Sequence, residues 1–396
     1  MRVSAHGRGL VIVAAPLLVT ATAALVPAAG ASAVTAPAAP VRSFQPRGVL
    51  NDVAAISARS AWAVGRTGVC RPATLIAHWN GRAWKLMRAP VSARAGWLNS
   101  VAVTSAHNAW AVGFSGTLNV QRPLILRWNG KVWTHVARLT GGGLLSGVAA
   151  TSAHNAWAVG STGSGKTLIL RWNGKTWKRL PKPSLSNDFL AGVAATSARN
   201  AWAVGETGGG KTLILHWNGT SWARVPSPSL AGDNFLAGVA ASSPRNAWAV
   251  GETIGGKAEI LHWTGMSWTE VASPVSGAQL AQVTAMSAGS AWAVGATSGL
   301  TGAVACAGNS SPADIAGRLI ATEPGRLIAA GPKTVILRWN GSQWQRESSP
   351  DPASKNALLG VAATSARNAW AVGATGNVFG ATAKALILRW RGHTWQ

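Results

Sequence analysis

The chain has 396 residues, 47% of them hydrophobic and 12% charged, which gives apolar material for a large core and argues against wholesale disorder. Lys and Arg number 36 against 11 Asp and Glu, a formal charge of +25, and 22 Trp stand beside no Tyr and only two Cys. The missing Tyr excludes tyrosyl-radical, phenol-acid and Tyr-nucleophile chemistry, and two thiols are too few for a disulfide scaffold or a four-thiolate zinc site.

From Met1 to about Ala33 the chain reads as an export signal. Arg2 and Arg8 supply the positive start, Gly9 to Ala29 is almost entirely apolar, and Ala31-Ser32-Ala33 offers a small-residue cleavage site. The alternative is an uncleaved membrane anchor, since the apolar run approaches the roughly 20 residues that span a bilayer. Pro16, Pro27 and the small-residue end favour cleavage, which leaves 34 basic residues against 11 acidic. No Cys follows the run for a bacterial lipid anchor, and no later segment is apolar enough to span a membrane. Residues 34–46, rich in Ala and Pro, read as a linker.

Repetition dominates the rest, from residue 47 to 396. Ala-Trp-Ala-Val-Gly ends at Gly65, Gly113, Gly160, Gly205, Gly251, Gly295 and Gly373, with spacings of 48, 47, 45, 46, 44 and 78 residues. Each copy is followed by Trp-x-Gly-x-x-Trp, from Trp79/Trp84 to Trp390/Trp395, so three Trp per repeat account for 21 of the 22 and leave Trp97 over. In the unit Leu190 to Ser229, turn residues separate four short runs: 192–197, 200–205, 212–217 and 221–225. The runs lack helix caps and 3.6-residue periodicity, and Asn-Gly at 80, 129, 173, 218 and 340 fits a tight type I′ turn between the third and fourth. Four antiparallel strands in a unit of about 45 residues, repeated radially, predict an all-β, seven-bladed β-propeller.

The strand patterns agree with blades packed on both faces. Ile169 and Arg171 point one way, and Leu168, Leu170 and Trp172 the other. The first strand, Gly-Val-Ala-Ala-Thr-Ser, is small because strands converge at the axis, and the Trp are expected as wedges where blades diverge. The last unit ends early, at His393 to Gln396, and Val41 to Pro46 offers a strand that would pair there and close the ring.

An opening strand, a second ending in aromatic-x-Val-Gly, a third, and a fourth beginning with Trp resemble the kelch pattern of galactose-oxidase-like propellers of the secreted bacterial type. The repeat is also similar to tectonin-type repeats and, through Gly174-Lys175-Thr176-Trp177, to part of the sialidase Asp-box. It departs from kelch in having a single Gly and Trp for the usual Tyr, and from the Asp-box in having Trp172 where the aspartate belongs. The resemblance implies a propeller that binds ligands through loops on one face, and no single activity.

Several motifs imitate chemistry. Gly160 to Thr167 and Gly205 to Thr212 satisfy the phosphate-loop pattern, but a strand follows each where a helix is required, so both are expected to be Gly-rich hairpin turns. Glu206 and Glu252 hold equivalent loop positions, either as flanks of a glycosidase-like site or as solvated loop ends. No His spacing suits a metal, no Ser sits in a nucleophile elbow, and no catalytic residue, metal or cofactor is assigned.

Basic residues recur in two series. Before the first hairpin Trp stand His78, Arg127, Arg171, His216, His262, Arg338 and Arg389, never Lys; at the first turn stand Arg59, His107, His154, Arg199, Arg245 and Arg367, interrupted by Gly289. Planar Arg and His stack on indole where Lys cannot, so one reading is structural. The other makes the turn series, joined by Arg82, Lys131 and Lys175, a ring that attracts polyanions.

Loops on the opposite face differ from copy to copy. The sixth repeat inserts residues 296–333 there, with Cys306, and Cys70 lies in the equivalent loop of the first. Only blade seven separates these units, and ten extended residues reach roughly 33 Å, so a Cys70–Cys306 disulfide is expected in an exported chain. Trp97, Phe189 and Phe235 enter their strands from this face, either as sugar-stacking platforms or as extra core. The expectation is a secreted or surface-associated, monomeric, non-enzymatic module that binds an extracellular glycan, an anionic cell-envelope polymer or a protein, with intracellular nucleic acid disfavoured. The alternatives are a polysaccharide hydrolase or lyase using Glu206, Glu252 or loop His residues, and a purely structural surface protein.

Overall fold

The computed structural model describes residues 44–69, 71–117, 120–136, 139, 141–181, 183, 188–228, 234–253, 255–297, 331–377 and 382–396. The predicted signal, most of the linker and of the long insertion, and both cysteines of the expected bridge lie outside these residues. Each repeat forms an antiparallel sheet in chain order. In the first, Val49–Ser57, Ser60–Thr67, Ala73–Trp79 and Trp84–Leu86 pair successively. Five more four-stranded sheets begin at Gly96, Gly143, Phe189, Asn234 and Ala278.

The seventh sheet has three full strands, Asn356–Ser365, Asn368–Thr375 and Lys384–Trp390. Its outer edge is completed from both ends of the described chain. Arg389 and Gln396 exchange backbone hydrogen bonds of 2.8 and 3.1 Å, while Ala385 N–H donates to the Pro46 carbonyl at 2.9 Å and Gly48 N–H to that of Ala383 at 2.8 Å. Each innermost strand packs on that of the next sheet, and the one from Asn356 returns to the one from Val49. The chain is a seven-bladed all-β propeller whose only helix among the described residues is the 3-10 turn Val91–Ala93.

One indole interlock repeats at all seven blade junctions. The Trp of Ala-Trp-Ala-Val-Gly lies 4.8–5.0 Å, between ring centroids, from the first hairpin Trp of the next blade. Its distance to the second, met edge-on, is 5.1–5.3 Å. Trp370 of blade seven meets Trp79 and Trp84 of blade one in this way, so the closing junction uses the same contact as the others. Every first hairpin Trp also donates its indole N–H, at 2.9–3.1 Å, to the carbonyl of its own blade's first turn, which ties the third strand to that turn.

Residues at the axis are small because backbones approach there. A Cβ on Gly147 would sit 3.1 Å from Ala191 O of the next blade. The hairpin turn between third and fourth strands is not centred on Asn-Gly. Asn80 N–H bonds to Ala83 O at 3.3 Å, which puts Gly81, with φ of +94°, first of the two central residues. The Asn80 side chain accepts from Arg82 and Ala83 N–H, both at 3.0 Å, so Asn caps the turn and does not form its centre.

Candidate binding site at the axial cavity

Along the axis runs a cavity of about 420 Å³ lined by the innermost strands of all seven blades. Most of the wall is Ala, Val and Gly, which the repeat dictates. One register position breaks the symmetry: it holds Gly147, Gly192, Gly238 and Gly360 in four blades, but Asp52, Ser100 and Gln282 in the other three. Asp52 accepts from Ser100 Oγ at 2.8 Å and from the N–H groups of Val101 and Val53 at 2.9 and 2.8 Å. Ser100 in turn accepts from Val148 N–H at 3.2 Å. Beside them Asn51 and Asn99 donate to Leu98 O and Leu145 O at 2.7 and 2.8 Å, so polar side chains staple blades one to three where blades three to five use Gly contact. Burial pushes the Asp52 carboxyl up to about 6 despite those three donors.

The structure gathers the three candidate aromatics at this cavity. Trp97, Phe189 and Phe235 all line it. Their faces are already partly occupied: the Arg66 guanidinium lies 3.9 Å over Trp97, Phe114 packs 5.7 Å from it, and Phe189 stacks on Phe235 at 6.4 Å. Trp97 and Phe189 are each 6% exposed, so packing claims most of their surface and Phe235 keeps more. Burial lowers Arg66 to about 10.

The two candidate carboxylates are not brought to one open site. Alternation from Trp202 and Val204 turns Glu206 toward the gap between blades four and five, and alternation from Trp248 and Val250 turns Glu252 toward the gap between five and six. Glu252 is buried beside Gln279, and burial pushes it up to about 7 against the lowering effect of that amide. Neither is among the residues that line the axial cavity. The phosphate-loop look-alikes are hairpin turns, closed by Thr162 N–H to Lys166 O and Thr207 N–H to Lys211 O, both 2.7 Å. Among the described residues no three His, Cys, Asp or Glu converge to hold a metal.

The two basic series separate. Arg171 lies 4.8 Å over Trp157 and 5.4 Å over Trp217 of the next blade, and donates to Ala198 O at 3.1 Å. Arg389 repeats this across the closing junction, over Trp370 and Trp79, donating to Ala58 O. His78, His216 and His262 stack on their blades' Trp at 4.0–4.2 Å, and burial lowers all three. Arg59, His107, His154, Arg199, Arg245 and Arg367, by contrast, are exposed at the first turns with no such stack. The expected stacking therefore holds for the first series and not for the second.

Sequence reasoning passed over Asp52, Ser100, Gln282 and Arg66. Aligning the seven inner strands by their Leu-x-x-Val core would have exposed the first three as polar residues in a Gly column.

No protein-family model matches this sequence, and no curated protein matches it. Among solved structures it is similar to the BP39L lectin of Burkholderia pseudomallei, with a TM-score of 0.56 and 12% identity over 88% of this chain and 98% of the lectin. It is similar to YCF48 from Cyanidioschyzon merolae, with a TM-score of 0.52 and 16% identity over 87% of this chain and 96% of that one. The GH74 xyloglucanase of Xanthomonas campestris gives 0.53 and 12% over 88% of this chain and 55% of the enzyme. At such identities the likeness is one of fold.

Proposed function

We propose that this protein is an exported, non-enzymatic binding module that recognises a carbohydrate, a cell-envelope polymer or a protein segment at the cavity mouth on its variable-loop face. The repeat itself is taken as a kelch-like variant built on Trp. The observation that carries the reading is the axial cavity of about 420 Å³, a size typical of ligand sites, with a mostly apolar wall and a few placed polar groups, Asp52, Asn99 and Gln282. A lectin, a polysaccharide-cleaving enzyme and a protein solved with a bound D1 peptide share the scaffold, which supports binding without choosing the ligand.

The test is a glycan array and a peptide and polymer pull-down on the chain from Val34, at low and high salt, with Thr284→Trp as a variant that fills the cavity from its wall. Retention of a ligand by the parent and its loss in a Thr284→Trp variant that melts normally would support the site. A ligand held equally by both would move the site elsewhere, and release of shortened glycan would replace the binding reading with an enzymatic one.

A further inference from the structure

The opposite face carries an independent set of observations. Six of its seven first turns present Arg or His, and each of those turns is fixed locally by a Ser two residues earlier, whose Oγ accepts the backbone N–H at 3.1–3.3 Å. The side-chain stems then lie over the glycine of the adjacent hairpin turn. A Cβ on Gly81 would meet Arg59 Cβ at 3.3 Å, one on Gly219 would meet Arg199 Cβ at 3.4 Å, and one on Gly130 would collide with the His107 ring at 2.5 Å. Glycine therefore leaves a seat for each stem, while its end stands in solvent. Among the described residues the side chains of Arg59, Arg199, Arg245 and Arg367 have no ion pair, hydrogen bond or ring contact.

The hairpin turns of the same face add exposed Arg82, Lys131, Lys175 and Arg391, and neither set of turns contains an Asp or Glu. Among the described residues the acidic groups lie elsewhere: Asp52, Glu252 and Glu259 are inside, Glu206, Asp188 and Asp351 lie toward the other end of the blades, Glu270 is on an outer strand and Glu347 directly follows one. Among the described residues one face thus holds repeating unpaired cations without a compensating anion.

We propose that this face docks a flexible linear polyanion, a polymer with phosphate or carboxylate groups repeated along a single chain. The cations sit on separate turns, blade after blade, so no pocket converges on a single small anion. Each exposed contact is weak alone, and a ligand gains affinity only by engaging several at once through the summed field. A chain with repeating charge meets that condition, and the planar guanidinium suits both oxyanions.

The experiment titrates the chain from Val34 with inorganic polyphosphate and with polygalacturonate across a salt series, and runs phosphatidylglycerol vesicles and duplex DNA in parallel. The test variant carries Arg59→Gln, Arg199→Gln, Arg245→Gln and Arg367→Gln. The control removes equal charge from exposed outer-strand positions with Lys85→Gln, Lys178→Gln, Arg224→Gln and Arg346→Gln. The turn variant should lose at least about tenfold more affinity than the control, and its slope of log K against log salt should flatten by roughly three, at 0.7 to 0.9 per lost charge contact. Preference between the two polymers assigns phosphate or carboxylate. Equal loss in both variants, no polymer binding, or tighter binding of vesicles or duplex would overturn the proposal; none of these results bears on the axial cavity.

Discussion

Replacing Glu259 with Leu should stabilise the propeller, by an amount that grows with pH. Glu259 lies in the third strand of blade five and is fully buried at a position where other blades have Leu75, Leu124, Leu168, Leu213, Val335 and Leu386. Its sheet face turns toward Trp202, Val204 and Ile214 of blade four, and neither carboxylate oxygen has a hydrogen-bond partner among the described residues. Burial, helped by Glu270, pushes its carboxyl from 4.5 up to about 8. An acid whose pKa rises on folding leaves stability intact below its unfolded value and erodes it as pH climbs to the folded one. At about 1.4 kcal/mol per unit, the cost of Glu259 is about 3 kcal/mol at pH 7 and about 5 kcal/mol above pH 8. The apolar burial of Leu adds about 2 kcal/mol at every pH. The Leu variant should therefore gain about 5 kcal/mol at neutrality, or several degrees in Tm at roughly 1–2 °C per kcal/mol for a chain of this size. Urea and thermal unfolding at pH values spanning 4.5 to 8 would measure it, with Glu259→Gln as a shape-matched variant that loses the pH slope alone. A gap between wild type and Glu259→Leu that stays constant over that window, or a less stable Leu variant, would refute the reasoning.

Other consequences are equally checkable. Trp157→Ala and Trp370→Ala should each cost about 3–5 kcal/mol in chemical denaturation, because both Trp fill the same interlock; a much cheaper Trp370→Ala would mean that the closing junction is not equivalent. Arg171→Lys should lower stability by about 1–2 kcal/mol through lost stacking and the lost bond to Ala198 O, whereas Arg199→Lys should be neutral in the same melting assay. Carboxyl NMR should find Asp52 titrating near 6, with stability falling as pH rises from 3.8 to that value and Asp52→Asn removing this component; a midpoint below 4 would contradict the buried environment.

The fold was legible because the repeat writes each packing requirement seven times. Trp62 and its counterparts recur with the hairpin pairs that receive them, so blade count and strand order follow from spacing. Alternation in the third strand also held: Ile169 faces blade four and Leu168 and Leu170 face blade two. The centre of the hairpin turn was misjudged because Asn-Gly is ambiguous: Asn can occupy a turn centre or cap it with its side chain, and the Trp79–Trp84 pairing decides for the cap. The site was less legible because its signal is departure from the repeat. Phe189 and Phe235 stood out as aromatics, while Asp52 needed a register that an irregularity between Leu50 and Asp52 obscures.

That contrast also explains why two series of basic residues have different roles. At the position before the hairpin Trp, Arg and His alternate freely yet Lys never enters, because the site is a slot between indoles that takes a flat group with a donor at its edge: Arg171 meets Asn155 Oδ1 at 3.3 Å and His216 meets Asn200 Oδ1 at 2.7 Å. Arg127, Arg171, His262, Arg338 and Arg389 each lie against indoles of two blades, including at the junction that closes the ring, so these residues answer to packing. The turn position imposes no slot; it asks only for a stem that can lie over a glycine, and it tolerates Gly289 in blade six. Arg stands at four of the seven turns where packing does not require it, and a guanidinium without a partner on its own chain is available to another.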